Sequence, residues 1–271
     1  MMTPLHITLI QSNIYWENKE ANLNSWQQKI DALPQGAEVV VLPEMFSTGF
    51  SMQTNQLAEA MDGYTVKWMR TMAMHKRIII TGSIIIKEND LYYNRLIWML
   101  PNGEHSYYDK HHLFTYSKED KYFTPGQKRL IVSVKGWKIL LLICYDLRFP
   151  VWSSQQVQQS TTSIQPEFDA IIYVASWPER RNTAWKSLLQ ARAIENQCYV
   201  IGVNRVGEDG SSIYYSGNSM VIDPLGTIMY HKEHEEDIAT VVLDRAHLEE
   251  VRHYFPFWKD ADAFIRKGQS A

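Results

Sequence analysis

The chain has 271 residues, 45% of them hydrophobic and 21% charged, which is the balance of a folded globular protein and excludes collagen, coiled coil and disorder. Lysines and arginines number 27 against 30 aspartates and glutamates, so a net charge of −3 offers no broad positive field for nucleic acid or anionic lipid. The longest apolar runs, such as residues 139–144, fall well short of the roughly twenty residues a bilayer span needs.

Short runs rich in valine and isoleucine predict strands at residues 5–10, 39–42, 78–86, 91–99, 139–144, 170–175, 199–203, 219–222 and 239–243. Helical patterns fall between several of them, at 18–32, 62–75 and 182–196. In the last, Asn182 is placed to cap, and Trp185, Leu188, Leu189 and Ala193 share one apolar face. The runs 78–86 and 91–99, joined by Lys87-Glu88-Asn89-Asp90, predict an antiparallel hairpin. The expected fold class is therefore α/β, with mixed sheets buried under helices. No repeat and no Pro- or Gly-rich linker divides the chain, so a single domain over residues 1–271 is expected. The Gln-rich stretch 153–165 reads as an exposed insertion without a function. The N-terminal residues lack the features of a secretory signal, and Cys144 and Cys198 make no disulfide framework; both point to the cytoplasm.

Reactive groups in α/β sheets gather at the carboxyl ends of strands. The run 39–42 leads into Pro43-Glu44, the run 139–143 into Cys144-Tyr145-Asp146, and Tyr107-Tyr108-Asp109 into Lys110-His111-His112. Taken singly, Glu44 is an acid on a solvated turn, Lys110 a surface lysine, and Cys144 either a small buried hydrophobe or a nucleophile with its thiol pKa lowered by a helix N-terminus or cation. Cys198, after a helix and before a strand, reads as core. Together the three strand ends supply a base, a thiol and a cation, the set that a thiol attack on an amide carbon requires.

In sequence order the chain carries Leu42-Pro43-Glu44, Lys110-His111-His112-Leu113-Phe114, Thr124-Pro125-Gly126 with Glu119 upstream, and Ile143-Cys144-Tyr145-Asp146-Leu147-Arg148-Phe149-Pro150. Ala175-Ser176-Trp177-Pro178, residues 191–196, and Gly217-Asn218-Ser219 before Asp223-Pro224-Leu225-Gly226 complete the pattern. With these motifs the chain resembles the nitrilase superfamily of carbon–nitrogen hydrolases over nearly its whole length. The resemblance implies a four-layer α-β-β-α sandwich, with Glu44 as general base, Lys110 as oxyanion stabiliser, Cys144 as nucleophile and Glu119 as a second acid that positions the lysine or substrate. It also implies a homodimer or larger assembly, a small-molecule amide substrate, and no metal or organic cofactor. The pattern Pro43-Glu44-Met45-Phe46-Ser47-Thr48-Gly49-Phe50 is most similar to bacterial omega-amidases, which implies hydrolysis of 2-oxoglutaramate or 2-oxosuccinamate and a place in methionine salvage.

An acid amide needs a cation for its free carboxylate, for which Arg148, Arg180 and Arg181 are candidates. Phe46, Tyr145 and Trp177 are candidates for an apolar wall. Other readings keep the catalytic set and change the substrate to an N-carbamoyl amino acid, a deaminated glutathione-like amide or a nitrile. A silent thiol switch does not require the acids and the lysine. A Cys-His hydrolase would use His111 or His112 as base. The run His231-Lys232-Glu233-His234-Glu235-Glu236-Asp237 lacks the two-histidine zinc spacing and reads as a charged turn.

Overall fold

A computed structural model describes residues 3–155, 158–159 and 164–262. The first half of the chain contains β1 (Leu5–Gln11), α1 (Lys19–Asp31), β2 (Val39–Val41), α2 (Thr54–Leu57), α3 (Tyr64–Lys76), β3 (Ile79–Glu88), β4 (Leu91–Met99), β5 (His105–Asp109), β6 (Leu130–Val134) and β7 (Trp137–Ile143). The second half contains α4 (Pro150–Ser153), β8 (Gln158–Gln159), β9 (Ile164–Gln165), β10 (Ala170–Ala175), α5 (Asn182–Asn196), β11 (Tyr199–Asn204), β12 (Val206–Glu208), β13 (Tyr214–Ile222), β14 (Ile228–Glu233), β15 (Asp237–Leu243) and α6 (Arg245–Tyr254).

One sheet has the order β15-β1-β2-β3-β4-β5 and the other β12-β13-β11-β10-β7-β6, with β14 beside β13. In each a parallel centre is flanked by antiparallel strands, β1, β2 and β3 in the first and β7, β10 and β11 in the second. Strand alternation sends successive side chains to opposite faces. Leu5, Ile7, Leu9, Val39 and Val41 therefore join the residues of β7 and β10 in a core between the sheets. Their neighbours Ile10, Val40 and Leu42 pack with Leu23 and Trp26 of α1 and with Val66 and Met69 of α3. On the far side of the second sheet, Trp185, Leu189 and Ala193 of α5 are buried. The close approach of α5 requires Gly202 of β11, where a Cβ would fall 2.6 Å from Leu189 and 2.8 Å from Trp185. The order of layers is helix, sheet, sheet, helix, as the motifs implied.

The expected strands and helices are all present, most of them with shifted ends. Asn18 caps α1 by accepting from the Ala21 N–H at 3.0 Å. The β3–β4 hairpin turns at Asn89 and Asp90, both at positive φ, the conformation that a two-residue turn of matching twist requires. Asn182 does not cap α5. The short turn Glu179–Arg181 runs straight into the helix, Asn182 is already helical, and its side-chain amide donates to Ser216 Oγ at 3.3 Å.

Strands β6, β12 and β14 escape the sequence pattern because each lies at a sheet edge, where one side lacks a neighbour and polar residues are tolerated. His231 and Lys232 thus belong to β14 and not to a turn; His231 Nε2 lies 2.7 Å from Asn218 Oδ1, and His234 pairs with the Tyr214 hydroxyl. The Gln-rich stretch departs from the expected exposed insertion at its start. Ser153 and Gln155 are buried, and Gln155 bonds Asn196, Phe168 and Glu167. Residues 156–157 and 160–163 of that stretch lie outside the described residues. No helix among the described residues is long and apolar enough to cross a membrane.

Candidate active site

Glu44 follows β2, Lys110 follows β5, Cys144 follows β7 and Ser176 follows β10, so the carboxyl ends of strands from both sheets converge. Lys110 is buried, and its ammonium donates to Glu44 Oε1 at 2.8 Å and to Glu119 Oε1 and Oε2 at 3.1 and 2.9 Å. The second Glu44 oxygen accepts from the Ser176 N–H at 2.8 Å, and the second Glu119 oxygen also accepts from the Phe114 N–H at 2.6 Å. Behind the lysine, Gly126 donates its N–H to the Lys110 carbonyl at 2.9 Å. A Cβ at Gly126 would fall 2.1 Å from the Asp109 carbonyl oxygen, so the Thr124-Pro125-Gly126 motif closes on the lysine only with glycine there.

The electrostatics follow from burial and pairing. Burial opposes the charge on Lys110, but the Glu119 and Glu44 carboxylates outweigh it and hold the ammonium well above the usual lysine range. Burial raises the Glu119 carboxyl, against the pull of Lys110 and with the help of Glu44. The Cys144 thiol is also pushed well above its ordinary range, first by burial and then by Glu44, with Lys110 and the Ser176 N–H acting against. This reverses the expectation of a thiol acidified by a helix N-terminus. Cys144 opens a short 3-10 turn, Cys144–Arg148, and no long helix begins there. The thiol is therefore held protonated, with the Glu44 carboxylate beside it.

Cys144 is 8% exposed and opens onto a cavity of about 380 Å³, which Lys110 also lines. Tyr145, Arg148, Trp177 and Arg180 line it as well. Phe46 does not. It is fully buried on the helix side of the first sheet, edge-on to Trp26 at 6.3 Å, because the left-handed Met45 (φ 47°) turns the chain after Glu44. His111 and His112 are committed elsewhere: the His111 ring stacks on Trp152 and bonds the Gly126 carbonyl, while His112 stacks on Phe149 and bonds Asp146.

The structure adds one residue that the motifs did not point to. Asn94 donates its amide to Glu44 Oε1 at 2.8 Å and to Glu119 Oε1 at 3.3 Å, bridging the acids from β4. Its only sequence signal is an amide within the strand run 91–99. Arg181, half-buried in the cavity wall, lies with its guanidinium 4.9 Å from the Phe114 ring centroid. Burial lowers its pKa, and the neighbouring Arg180 adds to that. Among the described residues, Arg148, Arg180 and Arg181 have no carboxylate in salt-bridge range. Arg148 instead rests 4.9 Å from the Trp177 ring centroid.

Comparison with known proteins places this geometry. The pattern of the family described as carbon-nitrogen hydrolase matches residues 6–253. The chain belongs to the carbon–nitrogen hydrolase family. This hydrolase is 40% identical over 264 residues to the omega-amidase YafV of Escherichia coli strain K12, covering 97% of this chain and 99% of that protein. It is 32% identical over 257 residues to the 2-oxoglutaramate amidase of Bacillus subtilis strain 168, covering 94% and 96%. A solved structure of XC1258 from Xanthomonas campestris, a CN-hydrolase superfamily protein with an arsenic adduct in its active site, superposes with a TM-score of 0.95 at 41% identity, covering 98% of this chain and all of that one (100%).

Proposed function

We propose that this carbon–nitrogen hydrolase is an omega-amidase that converts 2-oxoglutaramate or 2-oxosuccinamate to the 2-oxo acid and ammonia. The observation that carries the reading is one cavity holding Cys144 and Lys110, backed by Glu44 and Glu119, together with arginines that have no carboxylate partner among the described residues. The names of its relatives in Escherichia coli and Bacillus subtilis support the same substrate class.

In this proposal Glu44 takes the proton from Cys144 as Sγ bonds to the amide carbon, and the carbonyl oxygen becomes an oxyanion held by Lys110 and the Tyr145 N–H. Glu44 returns the proton to the nitrogen, the C–N bond breaks, and ammonia leaves a thioester on Cys144. Glu44 then takes a proton from water as its oxygen attacks the thioester, the C–S bond breaks, and the proton returns to sulfur. Glu119 keeps the Lys110 ammonium charged and in place. Arg148 and Arg181 hold the substrate carboxylate, with Arg180 at the exposed rim, and Trp177 and Tyr145 face its short carbon chain.

The expected result for Arg181→Ala or Arg148→Ala is a KM for 2-oxoglutaramate about 10- to 100-fold higher, the effect of losing a charged hydrogen bond. Turnover of a neutral amide of similar length should stay within about threefold, because no carboxylate is there to lose. Equal losses on both substrates contradict carboxylate recognition by these arginines.

A homodimer belongs to the same proposal. Ile194, Leu225, Tyr254, Phe255 and Phe257 are exposed; the loop at Gly226 packs on Ile194, and the Phe255 and Phe257 rings lie 5.8 Å apart. A monomer in light scattering at micromolar concentration contradicts it. Cytoplasmic placement and a role in methionine salvage complete the reading; both thiols are free, as a reducing compartment keeps them. Retention of the protein in a periplasmic or secreted fraction contradicts the placement, and unchanged growth on methionine-salvage intermediates after gene deletion contradicts the role.

A further inference from the structure

Asp146 is a fully buried carboxylate that the hydrolytic steps leave unused. Among the described residues it has no lysine or arginine within ion-pair distance, and its oxygens are filled by donors from the two segments that carry Lys110 and Cys144. Oδ2 accepts from the Tyr108 hydroxyl at 2.7 Å and from the Ile143 N–H at 3.1 Å. Oδ1 accepts from the His112 N–H at 3.0 Å and lies 2.9 Å from His112 Nδ1. Tyr108 and His112 flank Lys110 on either side, and Ile143 immediately precedes Cys144. The Tyr108 hydroxyl in turn accepts from the His111 N–H at 3.1 Å and from Trp152 Nε1 at 3.0 Å, so the link is braced from the far side of the turn.

This bracing matters because Cys144 lies in the left-handed region at φ 43°. A residue with a Cβ pays about 1–2 kcal/mol there. Such a conformation persists only where its surroundings over-determine it. By taking the Ile143 N–H, the Asp146 side chain closes the turn around the cysteine. With its remaining contacts it fixes that turn to the segment whose lysine faces the same cavity.

We propose that Asp146 is a positioning residue: it ties the cysteine turn to the lysine segment and so holds Cys144 Sγ against Glu44 and Lys110. It touches neither the reacting atoms nor the cavity. The proposal rests on the assignment of Cys144 and Lys110 to the chemistry above.

Asp146→Asn tests it, because either orientation of the new amide sets an N–H₂ group against donors that had faced an acceptor. A displacement of about 1 Å is worth on the order of 10²-fold in rate, so kcat on 2-oxoglutaramate is expected to fall by about that factor. KM should change by less than about threefold, since the cavity wall is untouched. Iodoacetamide, applied without substrate, should alkylate Cys144 about tenfold more slowly; Cys198 is fully buried and does not contribute. Tyr108→Phe, which keeps the carboxylate and its other donors, should give a smaller fall of the same kind and serves as the test where Asp146→Asn does not fold. Rates and alkylation within about threefold of the unmodified protein overturn the proposal, as does a KM that rises in step with the loss of kcat. If the unmodified protein releases no ammonia from acid amides while alkylation still slows in the variants, the substrate assignment fails and the positioning role stands.

Discussion

Replacing Cys144 with alanine is expected to abolish ammonia release, by on the order of 10⁴- to 10⁶-fold, while leaving the fold in place. The size of the loss follows from the proposed chemistry. Lys110 and the backbone donors still bind and polarise the amide, but no atom remains to form the thioester, and attack by loose water lacks the positioning that the cysteine provides. The fold should tolerate the change because the thiol faces the cavity and an alanine Cβ occupies the same backbone conformation. Circular dichroism and a melting temperature within a few degrees of the unmodified protein, roughly the effect of 1 kcal/mol or less, are the controls. Substantial turnover by a folded Cys144→Ala protein contradicts the assignment of the nucleophile.

The second large effect is on stability as well as rate. Lys110→Met leaves Glu44 and Glu119 buried beside one another with no cation between them, and breaking a buried pair in this way costs about 3–5 kcal/mol. Turnover should also disappear, because in the proposed mechanism the oxyanion loses its charged donor. The pH dependence has a definite sign. Burial already raises the Glu119 carboxyl with the lysine present, and removing that cation raises it further. The folded variant then binds protons more tightly than the unfolded chain, so it is more stable at mildly acidic pH and loses stability as pH rises through neutrality. The unmodified protein should show a smaller loss of this kind, because its lysine opposes the rise of the Glu119 carboxyl. Its lysine is held above the usual range, so the pair is fully present below about pH 10 and weakens only as pH climbs through the lysine's own titration. Melting temperatures of both proteins at acidic, neutral and basic pH check the prediction; a Lys110→Met curve parallel to the unmodified one contradicts it.

What was legible in the sequence was whatever local pattern encodes. The parallel core strands announced themselves as runs of valine and isoleucine because both of their faces are buried, and Glu44 and Cys144 stood out as polar residues directly after such runs. Lys110 follows a short edge strand, His105–Asp109, whose residues fit a strand or a turn equally in the sequence, so its place depended on the surrounding motif. Side-chain direction was not legible. Phe46 and Trp177 looked alike as aromatics beside strand ends, yet one packs under the helices and the other lines the cavity, a difference set by the backbone turn at Met45. The partnering of Asn94 and Asp146 was also hidden, since each joins segments distant in the chain. Of the arginines, only the fold distinguishes Arg181, held against Phe114, from the exposed Arg180.

The most direct test is ammonia release by the purified protein from 2-oxoglutaramate, measured beside an N-carbamoyl amino acid, a neutral amide and a nitrile. The account predicts rapid release from the 2-oxo acid amide and little from the others. Preferred hydrolysis of the carbamoyl compound or the nitrile would contradict it, leaving the cysteine chemistry in place but assigning the arginine-lined cavity to a different substrate.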